Sequence, residues 1–249
     1  MKKQAYMIGF VLLLTLFYGC SKDESHDNSS HDHDHSSHEH TQEKAEAAHG
    51  EESISINDLS EWQFLGIGEV KVDEGEKALY MSEGADSKGV TLVSPKQYGK
   101  SVVVSYKIKP LSFESVHVLI LSATDKASGG DIIVPSDYDG NFGFWTNADV
   151  QDYVFALHNE AHNRKPFITK NPGSNLIIEA EENVVGEQWH DIEIGRHDTH
   201  LYMKIDGKMV VENMDESDSL PGGKIGFRLR GIPGKAAAAL LKDVVIHPN

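Results

Sequence analysis

From Ser53 onward, apolar and polar residues alternate in short runs separated by Gly, Pro, Asn and Asp, and no stretch of twelve or more repeats with a helical period. The pattern predicts strands over 63–72, 78–82, 89–94, 101–108, 115–121, 131–134, 141–146, 152–157, 175–179, 189–196, 200–205, 208–212, 224–230 and 240–247. Within the fourth of these, Val102, Val104, Tyr106 and Ile108 fall on one face, the period of a sheet with one solvated side. Asp206-Gly207, set between two apolar runs, predicts a tight hairpin because both residues tolerate positive φ. The Ala236–Ala239 run follows Pro233-Gly234 and leads into a strand instead of a helix. About fourteen strands without a helix predict an all-β, two-sheet jelly-roll sandwich.

The first fifty residues change the picture of where this domain resides. Lys2 and Lys3 precede an apolar run over 8–18 that is too short to span a bilayer, the layout of a secretory signal over 1–19. Cys20, the only cysteine, follows Leu16-Phe17-Tyr18-Gly19 and resembles the lipidated cysteine of bacterial lipoproteins. Ser21-Lys22-Asp23-Glu24 resembles an acidic surface-export tag. Together they imply an outer-membrane protein held by its lipid alone and facing outward, with the periplasmic face as the alternative. With one cysteine, no internal disulfide can form, and the domain over 53–249 must rely on its core.

The segment 20–52 has almost no large apolar residue and reads as a disordered tether. Over 21–52, two lysines face ten carboxylates, a net −8 out of the whole chain's −16. No basic stripe of the kind nucleic acid requires is present. Seven of the fourteen histidines lie in the tether, and His31, His33 and His35 alternate with aspartates, a composition that can wrap Zn²⁺, Ni²⁺ or Cu²⁺ or serve only as a hydrophilic spacer.

The closing third carries a family resemblance. Trp189 and His190, Asp206-Gly207, Gly223-Lys224-Ile225-Gly226-Phe227-Arg228 and Leu241–Ile246 together resemble successive strands of concanavalin A-like lectin/glucanase domains. Ala156-Leu157-His158, Arg164 and Asn171-Pro172-Gly173-Ser174-Asn175-Leu176 add a likeness to the YesU-like group, found among polysaccharide-degradation genes. The resemblance implies a carbohydrate-related role and a Ca²⁺ ion between the sheets, for which the sequence singles out no ligands; no other cofactor is expected.

Candidate chemistry concentrates over 153–176, where an apolar lead-in delivers His158, His162, Arg164, Lys165, Lys170 and Asn171. His158 and His162 can act as base and acid near neutral pH, bind a metal, or be ordinary loop residues. Arg228 and Arg230, two apart on one strand, share a face and can hold a carboxylate or sulfate, or else pair with nearby acids. Phe142, Phe144 and Trp145, with Tyr153 and Phe155, are candidate sugar platforms or core. Elimination beside a uronic carboxylate needs a base (His158 or His162), an acid (Tyr153 or Tyr202) and a neutralising cation (Arg228 or Arg164). Substrate contacts then fall to Arg164, Lys170, Asn171, Trp145, Arg228 and Arg230. A strand-borne Glu-x-Asp-x-x-Glu for glycoside hydrolysis is missing, Glu179-Ala180-Glu181-Glu182 being the nearest approach. Two classes of function follow: a lyase or dehydratase acting on acidic oligosaccharides in polysaccharide degradation, and a non-catalytic binder of acidic oligosaccharide or polysaccharide. Metal binding by the tether is the third.

Overall fold

A computed structural model describes residues 50–159, 162–183 and 185–248. In chain order its elements begin with β1 (Glu52–Ile54), α1 (Ile56–Ser60), β2 (Gln63–Gly66), β3 (Gly68–Asp73), β4 (Ala78–Glu83) and β5 (Val90–Val93). They continue with β6 (Ser101–Pro110), β7 (Val116–Asp125), α2 (Gly143–Thr146), β8 (Val150–His158), β9 (Phe167–Asn171) and β10 (Asn175–Glu179). The last are β11 (His190–His197), β12 (His200–Ile205), β13 (Lys208–Met214), β14 (Lys224–Arg230) and β15 (Ala238–Pro248). They form two antiparallel sheets: one ordered β13-β12-β11-β6-β15-β4-β3, with β1 beside β15, the other β10-β9-β8-β7-β14-β5-β2. This is the all-β, two-sheet jelly-roll sandwich that the sequence pattern predicts. β1 begins at Glu52, one residue before the expected start of the domain.

The first sheet keeps one wet face, so β6 alternates strictly between buried and half-buried residues. The second does not: all but the last residue of β7 and all but one of β8 are buried. Its inner side chains, including Leu119, Phe155, Ile168 and Phe227, meet the first sheet in the main core. Its outer ones, Val118, Ile120, Val154 and Ala156, meet a separate cluster supplied by Ile132 and Trp145, with Tyr138, Phe142 and Phe144 packed against it. The 126–149 connection is thus a strap that forms a third layer, and each large side chain it buries contributes about 1.5–3 kcal/mol.

Here the structure corrects the pattern. Strands were expected at 131–134 and 141–146. The first is irregular chain lying across the sheet, fixed by Asp131 to Lys224 (3.2 Å) and Gln97 (3.1 Å). The second folds into the α2 turn because Asp139 and Asn141 accept hydrogen bonds from the backbone N–H groups two residues ahead (3.0 and 2.8 Å), closing turns where a strand would extend. Trp145 lies in that turn, wholly buried. The expected 63–72 strand divides at Gly66, whose φ of +99° is a left-handed conformation suited to glycine. β1, α1 and β9 were not anticipated. The Asp206-Gly207 hairpin joins β12 and β13 as expected: His190 Nδ1–H donates to Asp206 Oδ2 (2.8 Å) and Asp191 N–H to its Oδ1 (2.9 Å). The family-like His190 and Asp206 therefore hold the frame together.

Candidate functional site

The strap leaves one part of the second sheet's outer face open, at the end where β7 and β9 begin and β8 and β14 finish. A cavity of about 210 Å³ lies there. Outward residues Val118 of β7 and Val154 and Ala156 of β8 make an apolar floor, while Phe142 from the strap and Phe167 from β9 contribute aromatic walls. Arg228 and Arg230 border one side, and Asn159 and His162, from the turn after β8, complete the lining. Each aromatic wall carries a guanidinium: Arg228 lies 5.1 Å from the Phe142 ring centre and Arg164 4.6 Å from that of Phe167.

The two β14 arginines share a face but not a role. Arg228, 3% exposed, donates to the Gly140 (2.8 Å) and Lys88 (3.0 Å) carbonyls and lies near Thr91 Oγ1 (3.3 Å) and Tyr138 OH (3.4 Å). Burial, with a smaller push from the Arg230 charge, moves its guanidinium below its ordinary value. It ties the strap to the sheet. Arg230 is half-buried and has no hydrogen bond or ion pair among the described residues. Asn159 Oδ1 is likewise buried without a hydrogen-bond partner. The cavity thus presents a charge-assisted donor, Arg230, beside an apolar floor, with Asn159 in its lining.

The other expected site residues lie elsewhere. His158 is buried at the end of β8, where its Nδ1–H donates to the Ser115 carbonyl (2.5 Å) and the half-exposed Phe113 packs edge-on against its ring. Its cross-strand neighbour His117, not picked out from the sequence, is buried too and is pushed down to about 3 by burial and by His158. Tyr153 faces the interior, not the cavity. Its hydroxyl donates to Asp215 (2.6 Å), and burial, then Asp215, push it above its ordinary value. As a general acid for the cavity it is corrected. Lys170 is also bound to Asp215 (2.8 Å), and wholly buried Arg196 lies 4.9 Å from the Tyr153 ring centre, so this network plugs the opposite end of the sandwich. Burial alone would raise Asp215, but hydrogen bonds from Lys170, Ser217 and Tyr153 hold it at about 2.

Asn171 is buried and donates to Asp152 Oδ1 (2.8 Å) beneath the strap. Trp145 has no exposed face for a sugar; its indole N–H donates to Tyr138 OH (3.0 Å). Arg164 pairs with Glu179 (3.1 Å) at the rim. Of the expected catalytic and binding set, His162, Arg228 and Arg230 line this cavity and Arg164 borders it, while Lys170 and Asn171 line a separate cleft of about 770 Å³. Cys20, His31, His33 and His35 lie outside the described residues. Among those described, no group of three or more His, Cys, Asp or Glu side chains is gathered as a metal centre requires, so the implied Ca²⁺ has no such donor set there.

No protein-family model matches the chain, and no curated protein matches it. Solved structures do. A Bacillus subtilis protein of unknown function with a galectin-like fold aligns over 79% of this chain and 94% of its own, with TM-score 0.67 and 17% identity. The carbohydrate-binding module CBM66 from Bacillus subtilis covers 74% and 92%, at TM-score 0.51 and 11% identity. A Bacillus licheniformis β-glucanase covers 80% and 98%, at 0.53 and 14%. Similarity at these identities establishes that the chain has the galectin-like and glucanase-like jelly-roll fold.

Proposed function

We propose that this protein binds acidic carbohydrate, uronic or sulfated, in the cavity beside Arg230, as part of polysaccharide degradation. One observation carries the assignment: a half-buried guanidinium with no partner among the described residues stands over an apolar floor with aromatic walls. A sugar's C–H face suits the floor, its hydroxyls suit Asn159, and its carboxylate or sulfate suits a planar fork donor. Calorimetry with galacturonate oligosaccharides tests this, using carboxyl-reduced counterparts as controls. Reduction is expected to weaken binding at least about tenfold, near 1.4 kcal/mol, and Arg230→Ala to do the same. Equal affinity for the neutral sugar refutes the role given to Arg230.

A second function, elimination, draws support from His162 lining the same cavity. There His162 removes the proton alpha to the carboxylate while Arg230 steadies the developing charge, and the glycosidic oxygen leaves, giving a double bond conjugated with the carboxylate. Among the described residues the lining holds neither a tyrosine nor a carboxylate to protonate that oxygen, and we rank elimination second to binding. Ultraviolet absorbance of the conjugated product decides: turnover lost in His162→Ala, with binding retained, establishes the lyase. The opening segment supports a lipid anchor at Cys20 on the outer membrane; release of a Cys20→Ser variant from membranes tests it.

A further inference from the structure

Resting on that assignment, we infer that the cavity receives the end of an acidic glycan chain and cannot seat an internal stretch of one. A chain bound along its length needs a furrow open at both ends, and here the furrow is closed on three sides.

Along β7 and β8, beyond Val118 and Val154, the outer face lies wholly under the strap. Ile120 and Asp152 are fully buried there, and Trp145 belongs to the same apolar cluster as Ile120. Toward β5 the closure is tighter still. Gly140 of the strap sits so near Gly89 that a Cβ on it would come within 1.7 Å of the Gly89 carbonyl oxygen. Arg228 fastens both loops by donating to Gly140 and Lys88. Toward β10, Phe167 stands as a wall with Arg164 against its ring, and Arg164 is held by Glu179.

The remaining side leads past Arg230, which also lines a second cleft of about 820 Å³ between residues 83–88 and 230–236. The inner cavity, about 210 Å³, has room for one sugar ring, while the outer cleft, about 820 Å³, is broader and of mixed lining, with Lys88 and Arg230 as well as Glu83 and Asp139. Arg230 marks the boundary between the two. The terminal residue therefore enters the cavity, its acid group meets Arg230, and the rest of the chain leaves across the outer cleft.

The test measures binding per chain end against binding per unit mass, with the full-length protein and two probes, polygalacturonate and alginate. Each is titrated intact and after partial acid hydrolysis that multiplies chain ends about tenfold at constant mass. Recognition of ends requires the mass concentration at half-saturation to fall about tenfold on hydrolysis. An unchanged half-saturation in mass units overturns end recognition and leaves the Arg230 assignment standing. Absence of binding by either probe, cut or uncut, overturns the uronate assignment beneath it.

Discussion

Arg228 and Arg230 stand two residues apart on β14 and face the same way, yet their surroundings separate their roles. Replacing Arg228 with Met strands the Gly140 and Lys88 carbonyls beneath the strap, at an expected cost of roughly 2–5 kcal/mol in urea unfolding. Arg230→Ala leaves no partner stranded and is expected to stay within about 0.5 kcal/mol of the parent while losing acidic-sugar affinity. Their shared face was legible in sequence, because alternation in a strand is local. Which of them is already satisfied was not: the two carbonyls lie 88 and 140 residues away. The same distance hid the placement of Tyr153 and His158, whose partners Asp215 and Ser115 come from other loops.

Among elements, legibility follows solvent. The first sheet keeps a wet face, so β6 and the Asp206-Gly207 hairpin announce themselves. The strap has neither period nor regular hydrogen bonding, and its aromatic residues at 142–145 mimic a strand. What fixes it is contact with the sheet, chiefly Gly140 on Gly89, Arg228, and the Lys88–Asp139 pair (2.6 Å). Gly140 has φ +92°, so Gly140→Ala meets both backbone strain and a collision. A loss of about 1–3 kcal/mol is expected, with a shift in Trp145 fluorescence as the strap lifts. Unchanged fluorescence and stability would show that the strap is not seated by this contact.

For the molecule as a whole, two buried groups set opposing pH dependences. Burial pushes Asp152 up to about 8, partly offset by Asn171, so the folded state keeps a proton that the unfolded chain releases above its ordinary value of 3.8. Stability from this group is present at low pH and is lost as pH rises between these values. His117, pushed down to about 3 from 6.5, stays neutral when folded, so its contribution is lost as pH falls through that interval. The two slopes oppose each other between 3.8 and 6.5, so urea midpoints in the parent should decline from about pH 6.5 to about 8, where Asp152 alone acts, and Asp152→Asn should flatten that decline. On the acid side, His117→Gln should flatten the opposite limb. If Asp152→Asn leaves the slope between about 6.5 and 8 intact, its carboxyl is ionised in the fold.

The strap's attachments also divide the molecule into a frame and an exchangeable part. Its two ends are joined to each other by Lys126 N–H and the Asp149 carbonyl, Asp139 and Gly140 anchor it to the sheet below, and Phe142, just beyond that anchor, contributes the cavity wall. A change at Phe142 that spares the Asp139 and Gly140 anchors alters the shape of the hole and leaves the strand pairings untouched. A bulkier side chain at position 142 would narrow the entrance, and a smaller one would widen the hole toward a trough.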